Sequence, residues 1–447
     1  MSDAPAPEAK PELDRYLGPP TNVRWWVFAL ACSASWLLYL QRYTFALIKP
    51  ELVTEWGLKQ TQLGMLDSAF ATAYTGFQFP LGLLADAAGV QIVLSLLMMI
   101  GGIGLAMHAW APSLNTLWLA RGMLGLGQSA VFASLAKLTR SWFPLSIRTT
   151  VQGWVGVFFG RLGGMSSNLL FATVLLGMLG FDWRSAVYLF ASLGILHGAV
   201  FFLFFRNSPR RHPLANEAEA VLVEEDKSST KQAKKMPIRQ MLRGASPRSL
   251  ANLLALNAQT VLSTVADNIY SNWIPLFLFQ VHQLQFKEMG IYSALPLLGG
   301  AFGGMAGGYL NDFLIRRSGN LRWSRSGVGL MGKGMAAALL LIALLMYDNP
   351  YVFCGMLLFV KLFSDTTLTT TWGACTDIGG RASASVFAFN NSVAGIGSIC
   401  APTMYGFIAE HYGWPTVFLT AAGAYILCSL SWLLVNCTIP VLAEDKP

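Results

Sequence analysis

The sequence predicts an all-α membrane protein with twelve transmembrane helices arranged as two pseudo-symmetric six-helix bundles. Three observations support this fold class: the composition, the number of apolar segments and a short motif that recurs at half the chain length. Of the 447 residues, 54% are hydrophobic and 12% are charged, whereas about a quarter of the residues in a soluble protein are charged. This composition excludes a soluble globular enzyme, a disordered protein and a disulfide scaffold.

Apolar segments long enough to cross a bilayer follow one another along the chain. A span needs about 20 apolar residues, and a helix satisfies all its backbone hydrogen bonds within one segment in lipid. The predicted spans are 25–48, 62–84, 90–110, 116–138, 150–176, 185–205, 250–280, 289–314, 326–347, 351–372, 384–410 and 415–437. The resulting domains are a tail (1–22), a first bundle (23–205), a linker (206–248), a second bundle (249–438) and a second tail (439–447).

The basic residues indicate on which side of the membrane each loop lies. Both tails and the linker, which holds ten Lys and Arg residues, fall on one side. The other side carries only Lys49, Lys59, Arg184 and Lys287. Because basic loops stay in the cytoplasm, we expect both termini and the linker to be cytoplasmic. Topology and contact with lipid headgroups therefore explain the net charge of +8, and we expect no nucleic-acid partner.

A short element recurs at half the chain length. Gly82 to Asp86 reads Gly-x-Leu-x-Asp after the second span, and Gly308 to Asp312 reads the same after the eighth. The offset is 226 residues, and Gly64 and Gly290 are separated by the same distance. Two matches in register predict a duplicated six-helix unit, and carriers built from such repeats bind substrate between the halves.

These features resemble the major facilitator superfamily, and more narrowly its anion:cation symporter branch of sugar-acid, hexuronate, sialic acid, vesicular glutamate and phosphate transporters. The likeness to the branch lies in residues 39–42, 74–80, 121–128, 142–144, 161–164, 212–219, 273–275 and 390–402. The resemblance implies alternating access between the bundles of a monomeric carrier. The short loops favour a bacterial inner membrane as its location.

Charges inside the predicted spans indicate an anionic substrate. A charge at mid-helix costs about 2.5–3.5 kcal/mol, so an intramembrane charge is a candidate functional group. The bases that lie more than one helical turn from either end of a span are Arg42, Arg121, Arg161, Lys333 and Lys361. The acids are Asp267 and Asp365, with Asp67 near the end of a span. The excess of bases favours an anion.

Arg42 is the first candidate for binding that anion. It lies three residues after Tyr39, on the same helix face, and its planar guanidinium can hold a carboxylate or a phosphate with two hydrogen bonds. The resemblance assigns both residues to the substrate, together with Asn390 or Asn391. The alternative is a structural arginine that extends to the outer interface near Lys49. The other residues that we assign to substrate contact are Tyr74, Gln78, Arg121, Arg161 and Tyr270.

Two glutamines bear on the energetics of transport. Proton-coupled members of the branch carry acids where this chain has Gln41 and Gln128, and a glutamine side chain does not titrate. Asp267 is therefore expected either to neutralise Arg42 or to be a displaced proton site, and the structural alternative is a salt bridge that lines the cavity. Arg121 lies seven residues before Gln128 and has two possible roles. It takes part in coupling or gating, or it belongs to a purely structural pair.

Other charged positions leave two interpretations each. Lys361 and Asp365 are four residues apart and predict an ion pair, or they form a wall of the substrate cavity. Arg161 either contacts substrate or bridges two helices.

The cytoplasmic charge relay of the superfamily is also uneven between the halves. Asp86 is followed by Ala87, Ala88 and Gln91 where basic residues are usual, so the relay is weakened in the first half. In the second half Asp312 is followed by Arg316 and Arg317 and the relay looks intact.

The leading functional hypothesis is a secondary carrier of a small organic anion, not an enzyme. Arg42 would hold the carboxylate while Tyr39, Tyr74, Gln78 and an asparagine hold hydroxyls, with H⁺ or Na⁺ as candidate coupling ion. The chain has no P-loop motif, no metal-type cysteine spacing and no predicted cofactor. The second hypothesis is an uncoupled facilitator or an anion exchanger of the organophosphate/phosphate type. The third is a transporter-like sensor that signals through the linker.

Overall fold

The computed structural model describes residues 18–229 and 244–442, in which every regular element is helical. Predicted tail residues 1–17 and 443–447 and linker residues 230–243 lie outside the described part. We number the membrane segments span 1 to span 12. Spans 1–6 are Val23–Trp56, Gln60–Ala88, Val90–Trp110, Leu114–Ser129 with Val131–Trp142, Leu145–Gly153 through Met178, and Trp183–Phe204. Spans 7–12 are Pro247–Asn272 with Ile274–His282, Phe286–Ser318, Leu321–Leu344, Pro350–Gly379, Ser383–Tyr412 and Trp414–Ser431.

Eight of the described helices are individually long and apolar enough to cross a membrane. Of the other four spans, span 2 is a single helix of 29 residues with lower hydropathy, and three are interrupted. Span 4 breaks at Ala130, and span 7 breaks at Trp273. Span 5 alternates α-helix, Leu145–Gly153 and Phe159–Ser167, with π-helical turns, Trp154–Phe158 and Asn168–Met178. Such irregular turns cluster at functional sites.

Span 1 extends further than the sequence pattern indicates. The predicted end at residue 48 rests on the dipeptide Lys49-Pro50, but the helix continues through Pro50 to Trp56 and ends at Gly57 in the left-handed conformation (φ 60°). Lys49 therefore lies inside the helix with 0% exposure, and its assignment to a loop is wrong. A buried lysine needs a partner, and that partner is part of the site described below.

The glycines that repeat 226 residues apart occupy equivalent positions at the junction of the halves. A Cβ on Gly64 of span 2 would collide with the backbone of Pro402 in span 11. A Cβ on Gly290 of span 8 would collide with the backbone oxygen of Asn168 in span 5. Glycine permits this close approach of two helices, so both predicted repeat positions serve the same packing in the two halves.

The described contacts between the halves concentrate at the end of the bundle opposite the N-terminus. The Thr61 N–H donates to Glu410 (3.1 Å), and the Thr173 hydroxyl donates to the carbonyl of Lys287 (3.0 Å). Toward the other end, Phe79 of span 2 and Tyr309 of span 8 are 74% and 79% exposed. The two halves are therefore joined at one end of the molecule.

The linker begins with a helix that caps span 1. Glu219, in the helix Glu217–Ser229, is fully buried, and its carboxylate accepts hydrogen bonds from the N–H groups of Val23 (3.1 Å) and Arg24 (2.8 Å). The Thr21 hydroxyl also donates to it. A carboxylate at a helix N-terminus satisfies free N–H groups and interacts favourably with the helix dipole. The start of the linker is thereby fixed to the first half.

Candidate functional site

A cavity of about 440 Å³ lies between the two halves. All five bases predicted inside the spans line it, together with Asp67, Asp267 and Asp365. The sequence thus identified the charged groups of the cavity, although it did not identify how they pair.

Arg42 occupies the cavity without an acidic partner among the described residues. Its Nε donates to the side-chain oxygen of Gln128 (3.0 Å), while its buried Nη2 has no hydrogen-bond partner in the described part of the chain. The guanidinium carbon lies 5.1, 5.2 and 4.6 Å from the ring centres of Tyr39, Phe70 and Tyr74. Cation–π contacts of this kind stabilise a cation but leave its hydrogen-bond donors available. Arg42 therefore faces the cavity, which argues against the alternative of an arginine at the outer interface.

The aromatic neighbours of Arg42 differ in their access to the cavity. Tyr39 lines the cavity. Tyr74 has its ring centre 4.6 Å from the guanidinium carbon of Arg42, but it is not among the described lining residues. Gln78, one turn further along span 2, is also absent from the lining residues that the structure describes. Contact of Tyr74 and Gln78 with substrate therefore stays a prediction, and neither residue is part of the described cavity lining in this conformation.

Arg121 has its acid in span 2. Its Nη2 pairs with Asp67 Oδ1 (2.7 Å), and its Nε donates to the carbonyl of Leu66 (3.1 Å). The other oxygen of Asp67 pairs with Lys49 (2.6 Å). Gln128 takes no part in this pair, because it bonds Arg42 and the backbone carbonyl of Leu38.

Lys49 connects this triad to the second half. Besides Asp67, its ammonium donates to the backbone carbonyl of Asn272 (2.7 Å) and lies 3.9 Å from the ring centre of Trp273. Both partners stand where span 7 is interrupted, so a carbonyl freed from the helix is available as an acceptor. Lys49, Asp67 and Arg121 together form a buried inter-half contact that sequence reasoning missed, because Lys49-Pro50 resembles a loop signal.

Asp267 is held by two lysines of the second half. Lys361 lies 2.7 Å from Oδ1, and Lys333 lies 3.3 Å from Oδ2. The Tyr425 hydroxyl (2.7 Å) and the Ser364 hydroxyl (3.0 Å) also donate to Oδ1. The expectation that Asp267 neutralises Arg42 is therefore wrong, because Asp267 pairs instead with Lys333 of span 9 and Lys361 of span 10.

Arg161 and Asp365 join the halves across the cavity. The Arg161 guanidinium in span 5 pairs with Asp365 Oδ2 in span 10 at 2.5 Å. The predicted ion pair of Lys361 with Asp365 is confirmed at 2.6 Å. Arg161 thus forms an interhelical bridge, and it also lines the cavity. Its side chain is 23% exposed, whereas those of Lys333 and Lys361 are 1% and 3% exposed.

The remaining predicted contact residues lie in the second half. Asn390 is buried and bonded to Asn257 (3.2 Å) and Thr260 (2.9 Å) of span 7, whereas Asn391 is exposed; both line the cavity. Tyr270 also lines the cavity, and its ring centre lies 5.4 Å from the ammonium of Lys361. Asn391 is therefore the more accessible asparagine.

Three residues assigned to coupling or gating lie away from the cavity. Gln41 is buried and donates to the carbonyl of Phe190 in span 6 (3.0 Å). Asp86 pairs with Lys137 of span 4 (3.3 Å), so a lysine distant in sequence supplies the cation that the residues after Asp86 lack. The backbone carbonyl of Asp312 accepts a hydrogen bond from the side-chain Nε of Arg316 (3.2 Å), and the Asp312 carboxylate forms no ion pair within the described ranges.

The family of the chain is shown by a match to a family model. The Major Facilitator Superfamily model matches residues 31–384. The probable sulfoacetate transporter of Cupriavidus necator is 26% identical, over 95% of this chain and 96% of its own. The hexuronate transporter of Escherichia coli K12 is 27% identical (90% and 91%), and the probable galactarate/D-glucarate transporter of Bacillus subtilis 168 is 28% identical (94% and 93%).

Solved structures share the same fold. A bacterial homologue of the human lysosomal transporter Spinster superposes with a TM-score of 0.69 at 18% identity, covering 93% of this chain and 95% of its own. The nucleoside transporter NupG superposes with a TM-score of 0.68 at 15% identity, covering 91% and 98%. With twelve helical spans in two similar halves around a charged cavity, the chain belongs to the Major Facilitator Superfamily of membrane transporters.

Proposed function

We propose that the protein is a secondary carrier of a small organic anion, which binds at Arg42. The observation that carries the proposal is the pairing within the cavity: each of the other four lining bases has a carboxylate partner, and Arg42 has none among the described residues. An unpaired guanidinium inside a membrane protein is costly, and an anionic substrate would offset that cost. Arg42 lines the cavity, and its buried Nη2 is a donor without a hydrogen-bond partner in the described part of the chain.

The contacts between the halves support alternating access. The Lys49 contact to Asn272 closes the joined end, and the Arg161–Asp365 pair spans the cavity. Both contacts link one half to the other, so both must break when the halves rock apart at that end. With both termini in the cytoplasm, the joined end faces outward.

The names of three relatives support the class of substrate. Sulfoacetate, hexuronates and galactarate or D-glucarate all carry a carboxylate, and sulfoacetate also carries a sulfonate. A guanidinium binds either group through two parallel hydrogen bonds. We therefore place this chain among carriers of sugar acids and related carboxylates.

Uptake into liposomes tests the proposal. Purified protein would be reconstituted and offered radiolabelled sugar acids, dicarboxylates and phosphates, with empty liposomes as the control. We expect saturable uptake of at least one carboxylate and competition by unlabelled anions, but no competition by neutral sugars. Uptake of neutral sugars alone would contradict the proposal.

A second candidate function, an uncoupled facilitator or exchanger, is favoured by the pairing of the acids. Gln41 and Gln128 cannot carry a proton, and Asp67, Asp267 and Asp365 each contact two basic side chains. A proton on one of these carboxylates would displace a cationic donor. The uptake assay separates the two functions when an inward H⁺ or Na⁺ gradient is imposed: accumulation above equilibrium identifies a coupled carrier, and equilibration alone an uncoupled one.

A charge-balanced double variant tests Asp267 as the proton site. Asp267→Asn combined with Lys333→Met removes one acid and one base from the same pair, while Lys361 keeps Asp365 as partner. We expect this variant to respond to a pH gradient as the wild type does, because the ion pairs hold Asp267 as a structural anchor. Retained exchange with a lost response to the gradient would instead assign the proton to Asp267.

A further inference from the structure

The second half of the cavity holds a positive charge that Arg42 does not account for. Arg161, Lys333 and Lys361 surround two carboxylates, Asp267 and Asp365. Three bases against two acids leave this cluster with one formal positive charge in excess. A single anionic group bound at Arg42 would leave that excess in place, in an environment where an uncompensated charge is costly.

Arg161 is the member of this cluster that faces the cavity. Its side chain is 23% exposed, in contrast to 1% for Lys333 and 3% for Lys361. It pairs with Asp365 through Nη2, and a guanidinium carries further N–H donors beyond those of one nitrogen. Arg161 can therefore keep its inter-half pair and still bind a second anion.

The other cluster with excess charge is closed to a ligand. Lys49 and Arg121 share Asp67, but their side chains are 0% and 3% exposed. Lys49 is also bonded to the Asn272 carbonyl, and the Arg121 guanidinium carbon lies 4.1 and 4.8 Å from the ring centres of Phe45 and Phe70. These contacts leave only the buried Nη1 of Arg121 without a hydrogen-bond partner among the described residues, and the low exposure of both side chains restricts a ligand's access to them.

Arg42 and Arg161 flank one pair of tyrosines. The Arg42 guanidinium lies 5.1 Å from the ring centre of Tyr39, whose ring centre is 6.3 Å from that of Tyr43. On the side of span 5, Gly160 and Gly164 pack against Tyr39 and Tyr43, which sets Arg161 at the same level of the bundle. Both arginines and both tyrosines line the same cavity, so a short molecule bound there has both guanidinium groups as neighbours.

We infer that the preferred substrate is a dianion with an acidic group at each end, one bound by Arg42 and the other by Arg161. This inference rests on the proposed function and deepens it, because it names the substrate class of the same cavity. Dicarboxylates and carboxylates with a terminal sulfonate have the required chemistry. An acid with one charged end would leave Arg161 without a ligand and would bind less tightly.

Matched pairs of acids test the inference by direct binding. D-glucarate and D-gluconate share an open six-carbon chain and differ in having two carboxylates or one; succinate and butyrate form a second pair. Dissociation constants would be measured by calorimetry on purified full-length protein. We expect the wild type to bind the dianion of at least one pair at least tenfold more tightly than its monoanion.

Two variants assign the preference to Arg161. We expect Arg161→Gln to lower dianion affinity at least tenfold more than monoanion affinity, so that the preference disappears. We expect Asp365→Asn, which frees Arg161 from its acid, to tighten dianion binding. If Arg161→Gln is unstable, the charge-balanced Arg161→Gln/Asp365→Asn variant replaces it, with the same loss of preference expected.

The outcomes separate this inference from the proposed function. Equal binding of dianion and monoanion by the wild type, or an equal loss of both in the Arg161 variant, would overturn the inference while anion transport stands. Absence of binding to either pair also overturns it. Absence of uptake of every anion in the liposome panel would overturn the proposed function itself.

Discussion

Arg42→Ala is expected to abolish anion uptake while leaving the protein folded. Removing one partner of a buried charged hydrogen-bonded pair costs about 2–5 kcal/mol, which corresponds to roughly a 30- to 5,000-fold loss of affinity. The fold should tolerate the change because Arg42 forms no ion pair among the described residues, and its protein hydrogen bond there is the one from Nε to Gln128. Initial uptake rates and thermal unfolding midpoints would be measured on the same preparations.

Two further variants sharpen this result. Arg42→Lys keeps the charge but loses the planar fork, so we expect weak residual uptake. The matched control is Arg184→Ala, which breaks a partly exposed ion pair with Glu55 (2.6 Å). Because such ion pairs contribute little to stability, this variant should transport normally. Wild-type uptake by Arg42→Ala would remove Arg42 from the substrate site.

Asp67→Asn is expected to destabilise the protein more than any other single change discussed so far. Asp67 is the shared acid of Lys49 and Arg121, and the side chains of all three are at most 3% exposed. Breaking a buried pair by removing one partner costs about 3–5 kcal/mol, and this substitution leaves two bases without an acid. We expect a large fall in the midpoint of thermal unfolding in detergent.

Matched substitutions show whether burial is the cause. Asp86→Asn breaks the pair with Lys137, in which the Asp86 side chain is 53% exposed and the Lys137 side chain 36% exposed. This substitution should change the free energy of unfolding by less than about 1 kcal/mol. Adding Lys49→Met to Asp67→Asn reduces the number of unpaired bases to one, so stability should partly recover. An Asp67→Asn protein with the wild-type midpoint would refute the structural role of this triad.

Hydropathy and charge predicted the fold and the composition of the cavity because both depend on local properties of the chain. A membrane span is recognisable from its own residues, and a base such as Lys333 is unusual in any span. All five predicted bases therefore line one cavity. The end of span 1 was wrong because a proline within a helix has the same local signature as one in a loop.

The pairing of the charges depends on how distant spans cross, which the sequence pattern does not encode. Arg121 and Asp67 are 54 residues apart, and Lys361 and Asp267 are 94 apart. The pair of Lys361 and Asp365 was predictable because the two residues are four apart on one helix. Residues at this spacing lie on the same helix face. Neutralisation of Arg42 was one of the alternatives for Asp267, and the structure instead pairs Asp267 with Lys333 of span 9 and Lys361 of span 10.

Because the cavity holds more bases than acids, its net charge also responds to the membrane potential. With Lys49 included, six bases and three acids lie in or beside the cavity. Without a bound anion, these nine groups carry a formal net charge of +3. Moving one charge through a potential of 100 mV changes its free energy by about 2.3 kcal/mol. For the carrier proposed above, a negative potential in the cell interior is expected to favour the inward-facing state of the empty, positively charged cavity. A bound dianion cancels two of the three charges, so the membrane voltage acts far less on the loaded carrier than on the empty one.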